Sequence, residues 1–73
     1  MKIHYDPKVD ALYLQLHQVA PGTAQAKELT DDIIADYDGS GRLVGIEILD
    51  ASQIVDEDDL QRIVFEVSPA VAA

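Results

Sequence analysis

A chain of 73 residues with 48% apolar side chains reads as one small globular domain, whose single core typically supplies only about 3–5 kcal/mol. It has no cysteine, which excludes disulfides and thiolate zinc sites and leaves oxygen-ligated cations, close packing or oligomerisation as sources of extra stability. Fourteen acidic residues against five basic ones give a formal net charge of −9, a field that repels nucleic-acid backbones and anionic membranes and attracts cations or a basic protein.

The first run, "KIHYD", alternates: Ile3 and Tyr5 share one side, Lys2 and His4 the other. "DPKVD" then supplies a proline turn between Asp6 and Asp10. "ALYLQLHQ" alternates again, with Leu12, Leu14 and Leu16 opposite in parity to Ala11, Tyr13, Gln15 and His17. Two alternating runs around a short turn predict a β-hairpin. With Tyr5 set opposite Ala11, position 4 faces Leu12 and His17 lies out of reach of His4.

Pro21-Gly22 marks a loop, after which "AKELTDDIIADYD" and "RLVGIEIL" form a second pair of strands. Both carry apolar residues on both parities, the pattern of strands covered on each side. The C-terminal part of the chain and a second subunit are the two candidate covers. Asp50 or Ser52 suits the cap of a helical turn in "DASQIV". A further short helical turn is expected near Glu57–Gln61, then a strand from Arg62 to Val67, where "IVFEV" is β-branched and aromatic. The expected fold is therefore mainly β: a small antiparallel meander of two hairpins, with minor helix near residues 51–61. The domain is expected to span residues 1–67, with 68–73 as a frayed tail.

"DYDGSGRLVGIE" matches a calcium-binding loop of the EF-hand type locally, with Asp36, Asp38, Ser40 and Glu47 at ligand positions and Gly41 and Leu43 in support. Its flanks do not match. "ELTDDIIA" is poor helix material, and "LVGIEIL" carries a glycine and three β-branched residues. A hairpin accounts for the same letters: Asp38 bonds its own backbone two residues on, and Gly41 takes the left-handed conformation of a bulged turn. A two-residue turn would set Asp32 beside Glu47 and a three-residue turn Ile33; the first register juxtaposes like charges that a cation would relieve. Asp36, Asp38 and Glu47 are thus weak metal candidates, and no resident cofactor is expected.

"YDPKVDALYLQL" followed by "DDIIADYDGSGRLVGIEILDAS" resembles the bacterial and archaeal family known as domain of unknown function 2283. The residues carrying the likeness are Tyr5, Asp6, Asp10, Leu12 and Tyr13, then Asp36, Asp38, Gly41, Gly45, Ile46, Glu47, Ile48, Leu49 and Ala51. It spans residues 1 to about 55. The resemblance implies a single-domain protein with no assigned reaction; some members are thought to accompany small toxin-like proteins, which would cast them as antitoxins. On physical grounds, Asp6 and Asp10 close the proline turn through side-chain-to-backbone bonds, with an acidic cluster around Asp36 or Glu47 as the alternative. Gly45 in mid-strand points to close approach of a bulky neighbour, and Tyr13 is placed to cover it.

Catalytic groups are scarce. The serines (Ser40, Ser52 and Ser68) fall in a turn, a possible cap and the tail, and both histidines lie on the polar parity. "DGSG" precedes a strand and lacks the lysine of a phosphate loop. An enzyme is not expected. No apolar run approaches the roughly 20 residues of a membrane span, and "MKIHYDPK" does not suit a signal peptide, so the cytoplasm is the expected compartment. The expected role is protein interaction: a homodimer, or a complex with a basic protein, with no nucleic-acid or membrane partner. The alternative is divalent-cation binding through the Asp36–Glu47 stretch.

Overall fold

The computed structural model describes residues 1–70. The last three residues of the expected tail, 71–73, lie outside the described residues. The chain is mostly β, as expected: β1 (Lys2–Asp6), β2 (Ala11–Gln15), β3 (Gln25–Glu28), β4 (Ile33–Tyr37) and β5 (Leu43–Ile48) form one antiparallel sheet. A four-residue helix, α1 (Ala51–Ile54), and a 3₁₀ turn at Asp59–Gln61 follow. No helix among the described residues is long and apolar enough to cross a membrane.

The strand order is β1-β2-β5-β4-β3. The two expected hairpins, β1–β2 and β4–β5, sit side by side through β2–β5 pairing. Residues 16–24 cross from β2 to the far edge, three strand spacings or about 14 Å away. Gly22 turns this loop at φ 77, and Thr23 closes it on the Ala20 carbonyl at 2.6 Å through its hydroxyl. The edge strand β3 is an addition to the two hairpins. Its sequence, "QAKE", has no apolar alternation because every residue in it is exposed, and Lys27 and Glu28 blunt the edge against further pairing.

Register corrects three finer expectations. In the first hairpin Asp6 opposes Ala11, so Tyr5 faces Leu12 and His4 faces Tyr13. In the second, Ile34 opposes Glu47 and Ile33 opposes Ile48. Asp32 lies one step further on, its carbonyl accepting the Leu49 N–H at 2.7 Å. The turn is longer than two or three residues, and a bulge falls at Asp36/Tyr37; together they slide β4 along β5 and separate Asp32 from Glu47. The third correction is the strand expected at Arg62–Val67. Arg62 is extended (φ −127, ψ 113), but no sheet partner lies beside the segment, and residues 62–70 have no regular structure.

The register sorts the strands into two unlike faces. One carries Ile3 and Tyr5, Leu12 and Leu14, Val44, Ile46 and Ile48, then Ile33, Ala35 and Tyr37. The other carries Lys2, His4, Asp6, Tyr13, Gln15, Gly45, Glu47, Ile34 and Asp36. The apolar face is covered only in part among the described residues. Among the described residues, only Ala35, Val44 and Ala51 of the hydrophobic ones are buried, and Leu12, Leu14, Ile33, Ile46 and Ile48 stay half-buried.

Candidate functional site

Asp10 is the pivot of the C-terminal connection. It adopts φ 53, a left-handed conformation that a short polar side chain tolerates better than most. That turn aims its carboxylate away from its own hairpin. Oδ1 accepts the Tyr5 hydroxyl at 2.7 Å and the Ser52 N–H at 3.0 Å, while Oδ2 accepts the Ser52 hydroxyl at 2.6 Å. The Asp10 carbonyl takes the Ala51 N–H at 2.9 Å. Asp50, at the N-cap position of α1, makes no side-chain capping bond, so the helix start is capped by Asp10, distant in sequence. The Ser52 hydroxyl, then the Tyr5 hydroxyl and the Ser52 N–H, hold the Asp10 carboxyl below its ordinary range against the opposing effect of desolvation. Tyr5 is raised in turn, first by its bond to Asp10 and then by burial and neighbouring carboxylates, Glu57 among them.

Asp6 closes the proline turn as expected, accepting the Lys8 N–H at 2.9 Å. The expectation for Asp10 is corrected: its side chain leaves the turn and binds α1. The sequence contained both partners, but nothing in it set position 10 against position 52.

Across the opposite face, Tyr13 stretches from β2 over Gly45 on β5 to Asp36 on β4, to whose Oδ2 its hydroxyl donates at 3.2 Å. A Cβ at position 45 would lie 2.7 Å from Tyr13 Cζ, so the ring occupies the space that only glycine leaves. Burial, and then the bond to Asp36, raise the Tyr13 hydroxyl. One side chain thereby ties three strands together.

The Asp36–Glu47 stretch folds as a hairpin. Asp38 Oδ1 accepts the Ser40 N–H at 2.9 Å, the Ser40 hydroxyl at 2.7 Å and the Arg42 N–H at 2.9 Å, and Gly41 sits at φ 88. The Ser40 hydroxyl, the Arg42 and Ser40 N–H groups and the approach of His17 lower the Asp38 carboxyl to about 2, with desolvation opposing them. His17 Nε2 stands 3.5 Å from Asp38 Oδ2 without a formed hydrogen bond, an electrostatic approach that strengthens when the ring is protonated. The three metal candidates do not converge: Asp36 is bonded to Tyr13, Asp38 is occupied by its own turn, and Glu47 lies between Tyr13 and Ile34. Among the described residues, no group of three or more histidine and carboxylate side chains is placed to hold a metal ion. The two histidines are apart, His4 opposite Tyr13 and His17 beside Asp38.

The family described as "Protein of unknown function (DUF2283)" has a model that matches residues 2–52. The chain belongs to this family. Among curated proteins and solved structures, nothing matches. The DUF2283 match begins with β1 and ends at Ser52, so it encloses all five strands, the Tyr13–Gly45–Asp36 tie and both ends of the Asp10–Ser52 connection.

Beyond these ties, the apolar face is the largest feature with a chemical preference. Its middle, Leu14, Ile46 and Ala35, runs across β2, β5 and β4 in register. Toward the β1 edge it reaches Ile3, which is 42% exposed. Lys27, opposite Ala35, marks its far edge, and the Asp10 carboxylate meets the face at Tyr5.

Proposed function

We propose that this DUF2283 protein is a small acidic protein-interaction module whose working surface is the apolar face of its sheet. The carrying observation is that a row of leucines and isoleucines on three adjacent strands stays half-exposed, although Ala35 and Val44 beside them are buried. A sheet with one apolar face gains stability by burying it against something, and contiguous exposed apolar surface of this kind marks interaction sites. Docking here would be driven by area, and the acidic loops and opposite face would set which partner approaches. A basic protein, as an antitoxin-like role would require, meets those carboxylates first. No reaction forms part of this proposal.

The test is titration of a dye that fluoresces on apolar surface into dilute full-length protein. Saturable binding is expected, weakened by Ile3→Lys on the apolar face and unaffected by His4→Lys on the opposite one. Absence of dye binding from a chain that sediments as a single copy would mean that its own residues cover the face, and the proposal would fail.

A further inference from the structure

We propose that the occupant of the apolar face is a second copy of this chain, and that Ile63–Val67 of each copy crosses to pair with the open edge of β1 on the other. This rests on the docking-face reading above and supplies its partner.

Charge selects the partner. In a chain of net charge −9, the middle of the apolar face, Leu14, Ile46 and Ala35, is where two copies can meet without opposing carboxylates, with Lys27 at one margin and Asp10, bonded to Tyr5, at the other. Docking of a basic protein would favour acids around the contact; here Asp6, Asp36 and Glu47 point to the other face.

Exposed area agrees. The accessible surface is 5955 Å², against about 4,450 Å² for a folded monomer of this mass. The radius of gyration is 14.5 Å, against about 11 Å for a compact domain of this length. Both figures mark a chain more open than a compact monomer, the exposed residues 62–70 included.

The C-terminal segment supplies the second part. Phe65 is 75% exposed and Val67 is 77% exposed, and Ile63 and Val64 are nearly as open. Among the described residues, the backbone from Ile63 onward makes no hydrogen bond. Isolated, this is an implausible resting place for a β-branched and aromatic run, which suits a pleated, half-buried surface. Its alternation puts Ile63, Phe65 and Val67 on one side, and Arg62 and Glu66 cancel in charge. Five residues match the length of β1. The two sheet edges differ: β3 is polar and charged throughout, whereas β1 offers unpaired backbone groups beside Ile3 and Tyr5. Addition of the segment to β1 would extend the apolar face by one strand, the β-augmentation mode of recognition.

The experiment is sedimentation velocity on the full chain over a range of concentrations, with wild type beside Phe65→Asp/Val67→Asp. These positions are exposed, so the monomer fold is expected to survive, and circular dichroism checks it. Wild type should sediment at twice 8.0 kDa. The double variant should dissociate about tenfold more readily or more, and should lose hydrogen-exchange protection at the β1 amides. A wild-type dimer that the variant leaves equally tight overturns the exchanged segment. A wild type that stays single at every concentration overturns the second copy, and the dye titration then separates the two proposals: dye binding leaves the docking face standing for a different partner, and no binding removes both.

Discussion

Replacing Gly45 with alanine probes the tie that holds the three central strands. The new Cβ would stand 2.7 Å from Tyr13 Cζ and 3.0 Å from the Leu14 carbonyl oxygen, where carbon contacts settle at about 3.5–4.0 Å. The tyrosine ring can swing aside, but only by giving up its 3.2 Å bond to Asp36 and uncovering β5. The Leu14 carbonyl belongs to β2, so it yields only if the strand moves. Overpacking of this kind costs about 1–3 kcal/mol, and the stiffer unfolded chain returns about 0.4–1 kcal/mol. The net is a loss of about 1–2 kcal/mol, which in a domain of this size lowers Tm by roughly 5–15 °C. The assay is thermal and urea unfolding at one fixed protein concentration, since assembly makes Tm concentration-dependent. The same substitution in a Tyr13→Leu background should be close to neutral, and the difference between the two backgrounds measures the coupling. An unchanged or raised Tm for Gly45→Ala with Tyr13 present would refute the close-approach account.

Asp10→Ala should lower Tm more than either Tyr5→Phe or Ser52→Ala, because it removes the acceptor for three donors and the residue type that tolerates φ 53; equal melting temperatures would refute the pivot. Asp38 has its carboxyl lowered from 3.8 to about 2, so the stability it contributes is complete above its ordinary value and is lost as pH falls through that window. Asp38→Asn should flatten this part of the acid-unfolding curve, and an unaltered curve would contradict the turn geometry. Calcium and chelator should leave Tm unchanged, because Asp36, Asp38 and Glu47 point to separate partners; a rise with calcium would reverse that conclusion.

The hairpins were legible because period-two alternation survives wherever one face is apolar, as in Leu12, Leu14 and in Val44, Ile46, Ile48. The Asp38–Gly41 turn was legible because its bonds are local, two to four residues long. What escaped was non-local or unpatterned. β3 has no apolar signal because it lies at an exposed edge, and the β4–β5 register slid through a bulge that composition does not announce. Tyr13 over Gly45 could be anticipated from a glycine in mid-strand, but Asp36 as its hydrogen-bond partner could not. Asp10 capping α1 from the first hairpin depends on β2 lying beside β5, a neighbour relation that no local spacing encodes. The Arg62–Val67 segment has strand composition without a strand partner in its own chain, a conflict that an exchanged partner would resolve.

The most direct test of the docking face is relaxation of isoleucine, leucine and valine methyl groups by a soluble paramagnetic agent, compared between dilute and concentrated full-length protein. Methyls of Ile3, Leu14, Ile46 and Ile48 should be attenuated in the dilute sample and shielded in the concentrated one, while Val9, exposed in the hairpin turn, stays attenuated in both. Equal attenuation of the face at every concentration would contradict self-association through it, and shielding in the dilute single chain would contradict the uncovered face itself.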